Sequence, residues 1–204
     1  MYLKPRVPPL CSGCGVKMDS ECETNRCLKC SLNSPIIDEL HTEYDFESIG
    51  GKLLRAAKLR RQPRLLSTLL KHTRPKLSER LCEFDHVIPI PDRYDRLKYR
   101  GFSPSRMIAK AIVYRRGKRL SDGYLYWRRK VKSQQGLTRA QRLMNMRSAF
   151  GARAVNQMRI LLIDDVYTTG QTVNWAAHAL KKAGAKMVCA FALSYRNELI
   201  RLRQ

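Results

Sequence analysis

The most informative part of the 204-residue chain runs from Ile160 to Thr172 and reads Ile-Leu-Leu-Ile-Asp-Asp-Val-Tyr-Thr-Thr-Gly-Gln-Thr. Its four apolar residues, Ile160 to Ile163, predict a short buried strand, and the spacing from Thr172 to Ala183 predicts a helix. Met187 to Leu193 predicts a second buried strand. Strand, loop, helix and strand in such close succession form a βαβ unit, which implies a parallel sheet covered by helices.

The loop that begins at Asp164 has the composition of a phosphate site. Thr168 to Thr172 offers three hydroxyls, backbone amides and a permissive glycine at a helix N-terminus, where the helix dipole favours a phosphate dianion. Asp164 and Asp165 would repel a phosphate placed on them, so they suit the hydroxyls of a neighbouring sugar better. In the alternative interpretation, the two acids end a strand and a threonine caps a helix. This explains each residue singly, but not the whole string. We therefore expect a phosphate with a ribose beside it.

A cysteine-rich segment precedes this unit, and we predict two domains from it: a module over residues 1–35 and an α/β domain over residues 36–204. Cys11-x-x-Cys14 and Cys27-x-x-Cys30 have the spacing of a structural Cys₄ zinc site. Disulfides and an iron–sulfur cluster are the competing interpretations, and an intracellular location disfavours the disulfides. Cys22 could replace Cys27, but it lacks a CxxC partner, and we treat it as a bystander.

The remaining elements are predicted from the spacing of apolar residues and from prolines. They are a polar bridge at Ser31–Asp45, two helices or one helix kinked at Pro63 within Glu47–Leu70, a short strand at Val87–Ile88, a polar stretch around Arg100-Gly101-Phe102, a helix at Ser105–Val113, a weak strand at Leu125–Val131 and a mobile loop at Gln134–Met146.

The chain is strongly basic, with 40 Lys and Arg against 17 Asp and Glu and a net charge of +23. Residues 52–76 hold nine basic side chains and no acid, and residues 93–147 hold seventeen against two acids. Solvated helix faces explain this, and so does contact with nucleic acid. Aromatic residues interleave with the second run, which suits stacking on unpaired bases but also suits a core.

The sequence has no apolar run near the ~18 residues of a membrane span. Its first ten residues contain Lys4, Arg6 and three prolines instead of the apolar core of a secretion signal. We therefore expect a soluble protein of the cytoplasm.

The string from Ile160 to Thr172 resembles the signature of the type I phosphoribosyltransferases, which is hydrophobic residues, two acids and Thr-Thr-Gly-x-Thr. This resemblance implies 5-phosphoribosyl-1-pyrophosphate (PRPP) as the ligand, with Asp164 and Asp165 on the ribose hydroxyls. It implies that the 5′-phosphate is cradled by Thr168, Thr169, Gly170, Gln171 and Thr172. The predicted substrate-binding loop as a whole also includes Val166 and Tyr167.

Other segments together are similar to the ComF family. They are the Cys₄ module, Pro89-x-Pro91, Arg100-Gly101-Phe102, the phosphoribosyl loop and the mobile-loop pattern formed by Gln134, Leu137, Arg142, Asn145, Ala149 and Phe150. The family continues with Asn-Gln after Arg-Gly-Phe, whereas Ser103 and Pro104 follow here. The resemblance implies a phosphoribosyltransferase-like parallel sheet flanked by helices, with a zinc-ribbon-like Cys₄ module. It also implies a role in natural competence, in which incoming single-stranded DNA enters the cytoplasm.

The resemblance further implies that Mg²⁺ bridges the pyrophosphate and the ribose, with Asp164, Asp165 and Arg100 as the catalytic set. Arg100, Gly101 and Arg142 would bind the leaving pyrophosphate, and no residue is evident as general base for an acceptor. Three hypotheses follow. The chain is a competence factor that binds PRPP and single-stranded DNA, an active transferase with an unknown acceptor, or an adaptor whose zinc module docks a DNA-translocation protein such as a helicase.

Overall fold

The structure is a computed structural model that describes residues 3–19, 24–80, 83–117, 119–128 and 149–196. The predicted loop at 134–146, together with Arg142, Cys22 and Cys82, lies outside the described residues. The described elements, in chain order, are α1 (Leu28–Leu32), β1 (Glu39–Asp45), α2 (Ile49–Leu59), α3 (Pro63–Arg80), β2 (His86–Pro89), α4 (Tyr94–Arg100), α5 (Pro104–Arg116), β3 (Arg119–Leu120), β4 (Leu125–Trp127), β5 (Phe150–Ala152), β6 (Arg159–Tyr167), α6 (Gln171–Lys182) and β7 (Met187–Tyr195).

A five-stranded parallel sheet with the order β1-β7-β6-β2-β3 forms the centre of the molecule. Its central strands, β6 and β7, pair from Arg159 opposite Met187 to Tyr167 opposite Tyr195. Both strands are rich in apolar residues because both faces of a parallel sheet are covered. The prediction of a parallel α/β sheet flanked by helices is confirmed.

Alternating side chains of β6 divide the core into two layers. Ile160 and Leu162 pack in one cluster with Val173 of α6. Leu161 and Ile163 face the opposite side, in a cluster with residues of α2, α3 and α5. The period of two along the strand therefore places α6 on one face of the sheet and α2, α3 and α5 on the other face.

The segment from Glu47 to Leu70 forms two helices, as the position of Pro63 predicts. Helix α2 begins after Ser48, whose hydroxyl accepts a hydrogen bond from the Gly51 amide at 3.3 Å. Helix α3 begins at Pro63, because the missing amide hydrogen of proline costs nothing in the first turn of a helix. This break places the basic end of α2 near the carboxyl edge of the sheet.

Two sequence predictions, for Ser31–Asp45 and for the residues before Gly101, are wrong. The polar bridge predicted at Ser31–Asp45 contains β1, an edge strand that pairs with β7 and buries Leu40, Thr42 and Tyr44. An edge strand tolerates polar residues, and these residues are the reason that the sequence pattern did not predict a strand here. The polar stretch before Gly101 is the helix α4, which ends at Arg100 and is capped by Gly101 in the left-handed region, with φ of 75°.

The strand predicted at Ile160–Ile163 is longer than expected. Asp164 and Asp165 lie within β6 and not in the following loop, because pairing with β7 continues as far as Tyr167 and Tyr195. These two tyrosines are buried, and their rings stack at 6.1 Å between centroids. The loop proper is therefore short and runs only from Thr168 to Gly170.

The predicted strand at Leu125–Val131 forms over Leu125–Trp127 and pairs antiparallel with β5 in a separate two-stranded sheet. Helix α5 spans the predicted Ser105–Val113, and Gly184 follows the end of α6 with φ of 97°, as a C-terminal glycine should. Among the described helices, none has the length and apolar character needed to cross a membrane.

Candidate ligand site and metal centre

A cavity of about 390 Å³ opens where β2 and β6 end, beside the N-terminus of α6. Parallel sheets commonly bind ligands at this carboxyl edge. The cavity gathers six of the twelve residues that the sequence predicts for ligand binding, which are Asp164, Asp165, Val166, Thr168, Thr172 and Arg100. Residues 68 positions apart in the chain, Arg100 and Thr168, thus line the same cavity.

Tyr167, Thr169, Gly170 and Gln171 belong to the loop or flank it without lining this cavity, and the predicted Gly101 caps α4. Gly170 caps α6 with φ of 75°, and a Cβ on it would collide with the Tyr167 ring. The Gln171 amide donates to Thr169 Oγ1 at 3.4 Å. Glycine is therefore required here both for its backbone conformation and for the close approach of Tyr167.

The two acids of β6 occupy different electrostatic surroundings. Asp165 Oδ2 lies 2.7 Å from Lys58 Nζ of α2, and both side chains are largely buried. Asp164 Oδ1 accepts a hydrogen bond from the Asp165 amide at 2.8 Å. Burial, followed by the negative charge of Asp165, raises the pKa of Asp164 to about 7. The site therefore holds one acid near its titration point at neutral pH and one paired with a lysine.

A third acid, Asp92, faces the same cavity and was missed in the sequence. Its Oδ1 lies 3.5 Å from Arg100 Nη1, and both side chains are largely buried. Burial raises the pKa of Asp92, and the charge of Asp165 adds to this. Asp92 Oδ2 is buried and has no hydrogen-bond partner among the described residues. It is therefore an acceptor available to a ligand.

A sequence signal for Asp92 existed, but none existed for Lys58. Asp92 follows Pro89-x-Pro91 at the end of β2, and β2 pairs with β6, so the acids that follow both strands meet at one edge. Lys58 is one of many basic residues of the helical segment, and no spacing distinguishes it.

One wall of the cavity is set by Trp127 of β4. Its Nε1 donates to the Pro91 carbonyl at 2.9 Å, and its ring lies 4.2 Å from that of Phe150. The small antiparallel sheet is thereby fixed beside the carboxyl end of β2.

The four predicted cysteine ligands converge at the N-terminal module. The sulfurs of Cys11, Cys14, Cys27 and Cys30 all lie within 4.8 Å of one another, and that of Cys14 is 3.7 Å from that of Cys27. Zinc–sulfur bonds of about 2.3 Å in a tetrahedron give sulfur–sulfur distances of about 3.8 Å. The cluster therefore fits a tetrahedral metal ion such as zinc, and Cys11 and Cys30 are buried.

Backbone amides favour a thiolate at Cys11. Burial alone would raise its pKa, but hydrogen bonds from the backbone, including one from the Cys27 amide at 3.2 Å, lower it to about 7. Burial raises the pKa of Cys14 to about 11 and that of Cys30 further. A metal ion offsets the cost of ionising these thiols, as in other Cys₄ sites.

The Cys₄ cluster contacts the structure under the candidate phosphate loop. Arg6 stacks over the Tyr195 ring at 3.9 Å and donates to the Gly15 carbonyl at 2.7 Å. Just after the module, the Ile36 amide donates to Asn174 Oδ1 of α6 at 2.9 Å. Because Tyr195 stacks on Tyr167, the Cys₄ module packs directly behind the candidate site.

The fold and site define an α/β protein with a candidate phosphate loop after a parallel strand and a candidate Cys₄ metal centre. The chain is similar to competence protein ComFC of Streptococcus pneumoniae (strain ATCC BAA-255 / R6), with 36% identity over 123 residues. The match covers 57% of this chain and 52% of ComFC, about half its length. The predicted resemblance to the ComF family is confirmed by this relative. No family model matches the chain.

Two solved structures are similar to the chain at low TM-scores. UMP synthase from Leishmania donovani has a TM-score of 0.41 and 24% identity, covering 71% of this chain and 24% of that one. A purine phosphoribosyltransferase from Pyrococcus horikoshii Ot3 has a TM-score of 0.32 and 16% identity, covering 69% of this chain and 86% of that one.

Proposed function

We propose that this chain is a competence-type factor of the cytoplasm that binds PRPP and assists the handling of single-stranded DNA during natural transformation. The observation that carries the proposal is that one cavity is lined by Asp164, Asp165, Thr168, Thr172 and Arg100. Similarity to ComFC, a competence protein, supports the cellular role.

The ligand would lie with its ribose hydroxyls on Asp164 and Asp165 and its 5′-phosphate at the loop from Thr168 to Thr172. That position places the phosphate at the N-terminus of α6, where unsatisfied amides and the helix dipole favour an anion. The pyrophosphate would extend toward Arg100 and Gly101, with Arg142 as a further ligand.

Mg²⁺ fits this donor set, because Asp92, Asp164 and Asp165 offer carboxylate oxygens to one cavity and Asp92 Oδ2 has no hydrogen-bond partner among the described residues. When bound with PRPP, Mg²⁺ would neutralise charge on the pyrophosphate. Lys58 and Arg100 already balance part of the negative charge of the acids.

A thermal-shift titration with PRPP and Mg²⁺ tests ligand binding. A ligand that binds only the folded chain stabilises it by about 2.7 kcal/mol at 100 times its Kd. Ribose 5-phosphate and pyrophosphate, titrated separately, distinguish the two halves of the cavity. A melting temperature that PRPP does not change would contradict the proposal.

A second candidate function is phosphoribosyl transfer to an unknown acceptor, favoured by Arg100, which lines the same cavity as Asp164 and Asp165. In such a reaction the bond between ribose C1 and pyrophosphate breaks with oxocarbenium character, and a cation on the leaving side lowers the barrier. Mg²⁺-dependent release of pyrophosphate that disappears in Asp164→Asn/Asp165→Asn would support catalysis. No release with any acceptor tested would count against it.

The Cys₄ module over residues 1–35 is proposed to bind zinc for structural reasons, since four sulfurs leave no open coordination position. The division from an α/β domain over 36–204 stays a prediction, as does docking of the module onto a DNA-translocation protein or helicase. If docking occurs through the module, Cys27→Ser should abolish capture of that partner.

A further inference from the structure

A second cleft, of about 440 Å³, adjoins the candidate PRPP cavity and is lined by α2, α4 and the ends of β1 and β6. The two spaces share Lys58, Arg96, Arg100 and Val166 as wall residues. A ligand that fills the cleft would therefore contact the same cations as the pyrophosphate end of the proposed site.

The cleft combines apolar surface with positive charge. Phe46, Leu59, Tyr99 and Val166 give it apolar walls. Four of its described lining residues are cations, and one, Asp95, is an acid. Arg55, Lys58 and Arg100 are each paired with an acid outside the lining, so Arg96 is the lining cation for which the described residues show no ion pair. Flat apolar surface beside phosphate-binding cations is the composition that proteins use for unpaired nucleotides.

Guanidinium groups are already ordered over the aromatic rings of the cleft. Arg55 lies 4.0 Å from the Phe46 centroid, and its position is fixed by two hydrogen bonds to Glu47, at 3.0 and 3.2 Å. Arg61 lies 4.0 Å from the Tyr99 centroid. A guanidinium plane held in this way presents its second face for stacking on a base.

Helix α4 extends the aromatic and basic surface beyond the cleft. Six of its seven residues, all except Arg100, are exposed. Tyr94 is 77% exposed and Tyr99 is 56% exposed, although aromatic side chains usually bury most of their area. Arg96 and Lys98 are exposed on the same helix. The helix therefore offers aromatic rings and cations together to a partner in solution.

From these observations we infer that the cleft between α2 and α4 binds an unpaired nucleic-acid strand, with a base stacked at Tyr99 and the backbone on Arg96. A strand fits better than a free nucleotide because the exposed aromatic and basic surface continues beyond the cleft along α4. This inference rests on the proposed handling of single-stranded DNA and locates it on one face.

Fluorescence anisotropy with a labelled oligo-dT strand and an abasic strand of equal length tests this location. Wild-type protein should bind oligo-dT more tightly than the abasic strand. Tyr99→Ala should weaken oligo-dT binding at least about 5-fold, the loss expected for one stacked base, with little effect on the abasic strand. The control Tyr114→Ala removes a tyrosine that is 81% exposed on α5, outside the cleft, and should bind as wild type does.

A second pair of variants tests the proposed contact between the nucleic-acid backbone and Arg96. Arg96→Gln should lower the slope of log affinity against log salt by about 1, as for one phosphate contact. Lys182→Gln, at the end of α6 on the opposite face of the sheet, should leave that slope unchanged. Free dTMP should compete only weakly, and competition as strong as that of the oligonucleotide would overturn the assignment of a strand.

The outcomes separate this inference from the function on which it rests. If wild-type protein binds neither strand, the DNA role itself fails, whatever the thermal-shift result with PRPP. If it binds oligo-dT while Tyr99→Ala and Arg96→Gln bind equally well, the DNA role stands and the assignment to this cleft is wrong.

Discussion

Lys58 Nζ of α2 lies 2.7 Å from Asp165 Oδ2 at the end of β6, and the two side chains are only 17% and 13% exposed. This ion pair joins the basic helical segment to the candidate site. Burial raises the pKa of the neighbouring acid, Asp164.

Replacing Lys58 should destabilise the fold through an uncompensated acid. Lys58→Gln leaves Asp165 buried beside Asp164 and Asp92, and the free energy of unfolding should fall by ~1–3 kcal/mol, somewhat below the cost for a fully buried pair. Urea denaturation measures this loss. Lys52→Gln, an exposed change on the same helix, should be neutral, and Asp165→Asn should suppress much of the effect of Lys58→Gln. Equal losses in both lysine variants would show that the ion pair has no stabilising role.

The raised pKa of Asp164 predicts a pH dependence of stability. Folding moves this pKa from 3.8 to about 7, so the folded state binds the proton more tightly than the unfolded state. The free energy of unfolding should therefore fall as pH rises through this window and level off above it. Asp164→Asn removes this slope, so its stability relative to wild type should improve by roughly 2 kcal/mol between pH 5 and pH 8.

Chemical denaturation at several pH values checks the prediction for Asp164. The exposed Asp19→Asn provides the control and should follow the wild-type curve at every pH. A constant difference between wild type and Asp164→Asn from pH 5 to pH 8 would contradict a raised pKa at this carboxyl.

The backbone conformation of Gly170 predicts that replacing this residue lowers both the stability of the fold and the affinity for PRPP. Gly170→Ala combines a left-handed backbone with a collision against the Tyr167 ring, whereas Gly117→Ala has a similar φ of 58° and open space around its Cβ. We expect Gly117→Ala to cost ~1 kcal/mol of stability and Gly170→Ala distinctly more. PRPP affinity should fall only in Gly170→Ala, because only that change displaces the loop. Thermal melts with and without PRPP distinguish the two, and equal behaviour would remove the argument for a tightly packed loop.

Metal content tests the Cys₄ centre. The purified chain should hold one zinc ion, and Cys27→Ser should lose it because three thiolates bind more weakly than four. Cys22→Ser is the matched control and should retain the ion with an unchanged melting temperature. Metal analysis after dialysis measures both. Zinc lost from Cys22→Ser and kept in Cys27→Ser would reverse the ligand assignment.

The sequence predicted the parts of the fold that depend on local patterns. The apolar runs around Ile160 and Met187 gave the central strands, and Pro63 gave the break between α2 and α3. Strand β1 was missed because its polar residues lie at a sheet edge, which only the pairing with β7 reveals. The extension of β6 through Asp164 and Asp165 likewise depends on that partner strand and on the stacking of Tyr167 with Tyr195.

Part of the candidate site was predicted from a motif that is continuous in sequence, whereas Lys58 and Asp92 were missed. Asp164, Asp165, Thr168 and Thr172 lie in one string and line one cavity. Lys58 reaches that cavity from a helix more than 100 residues earlier, and only the tertiary packing selects it from the other basic residues.

Isothermal titration calorimetry of the chain with PRPP in the presence of Mg²⁺ measures whether the Asp164–Thr172 segment binds this ligand. We predict saturable binding of one PRPP per chain, weakened at least about 10-fold in Asp164→Asn/Asp165→Asn, which corresponds to a loss of about 1.4 kcal/mol. Asp19→Asn should bind as wild type does. Absence of binding to the wild-type chain, or equal affinity in the double variant, would contradict the assignment of the Asp164–Thr172 segment as a PRPP site.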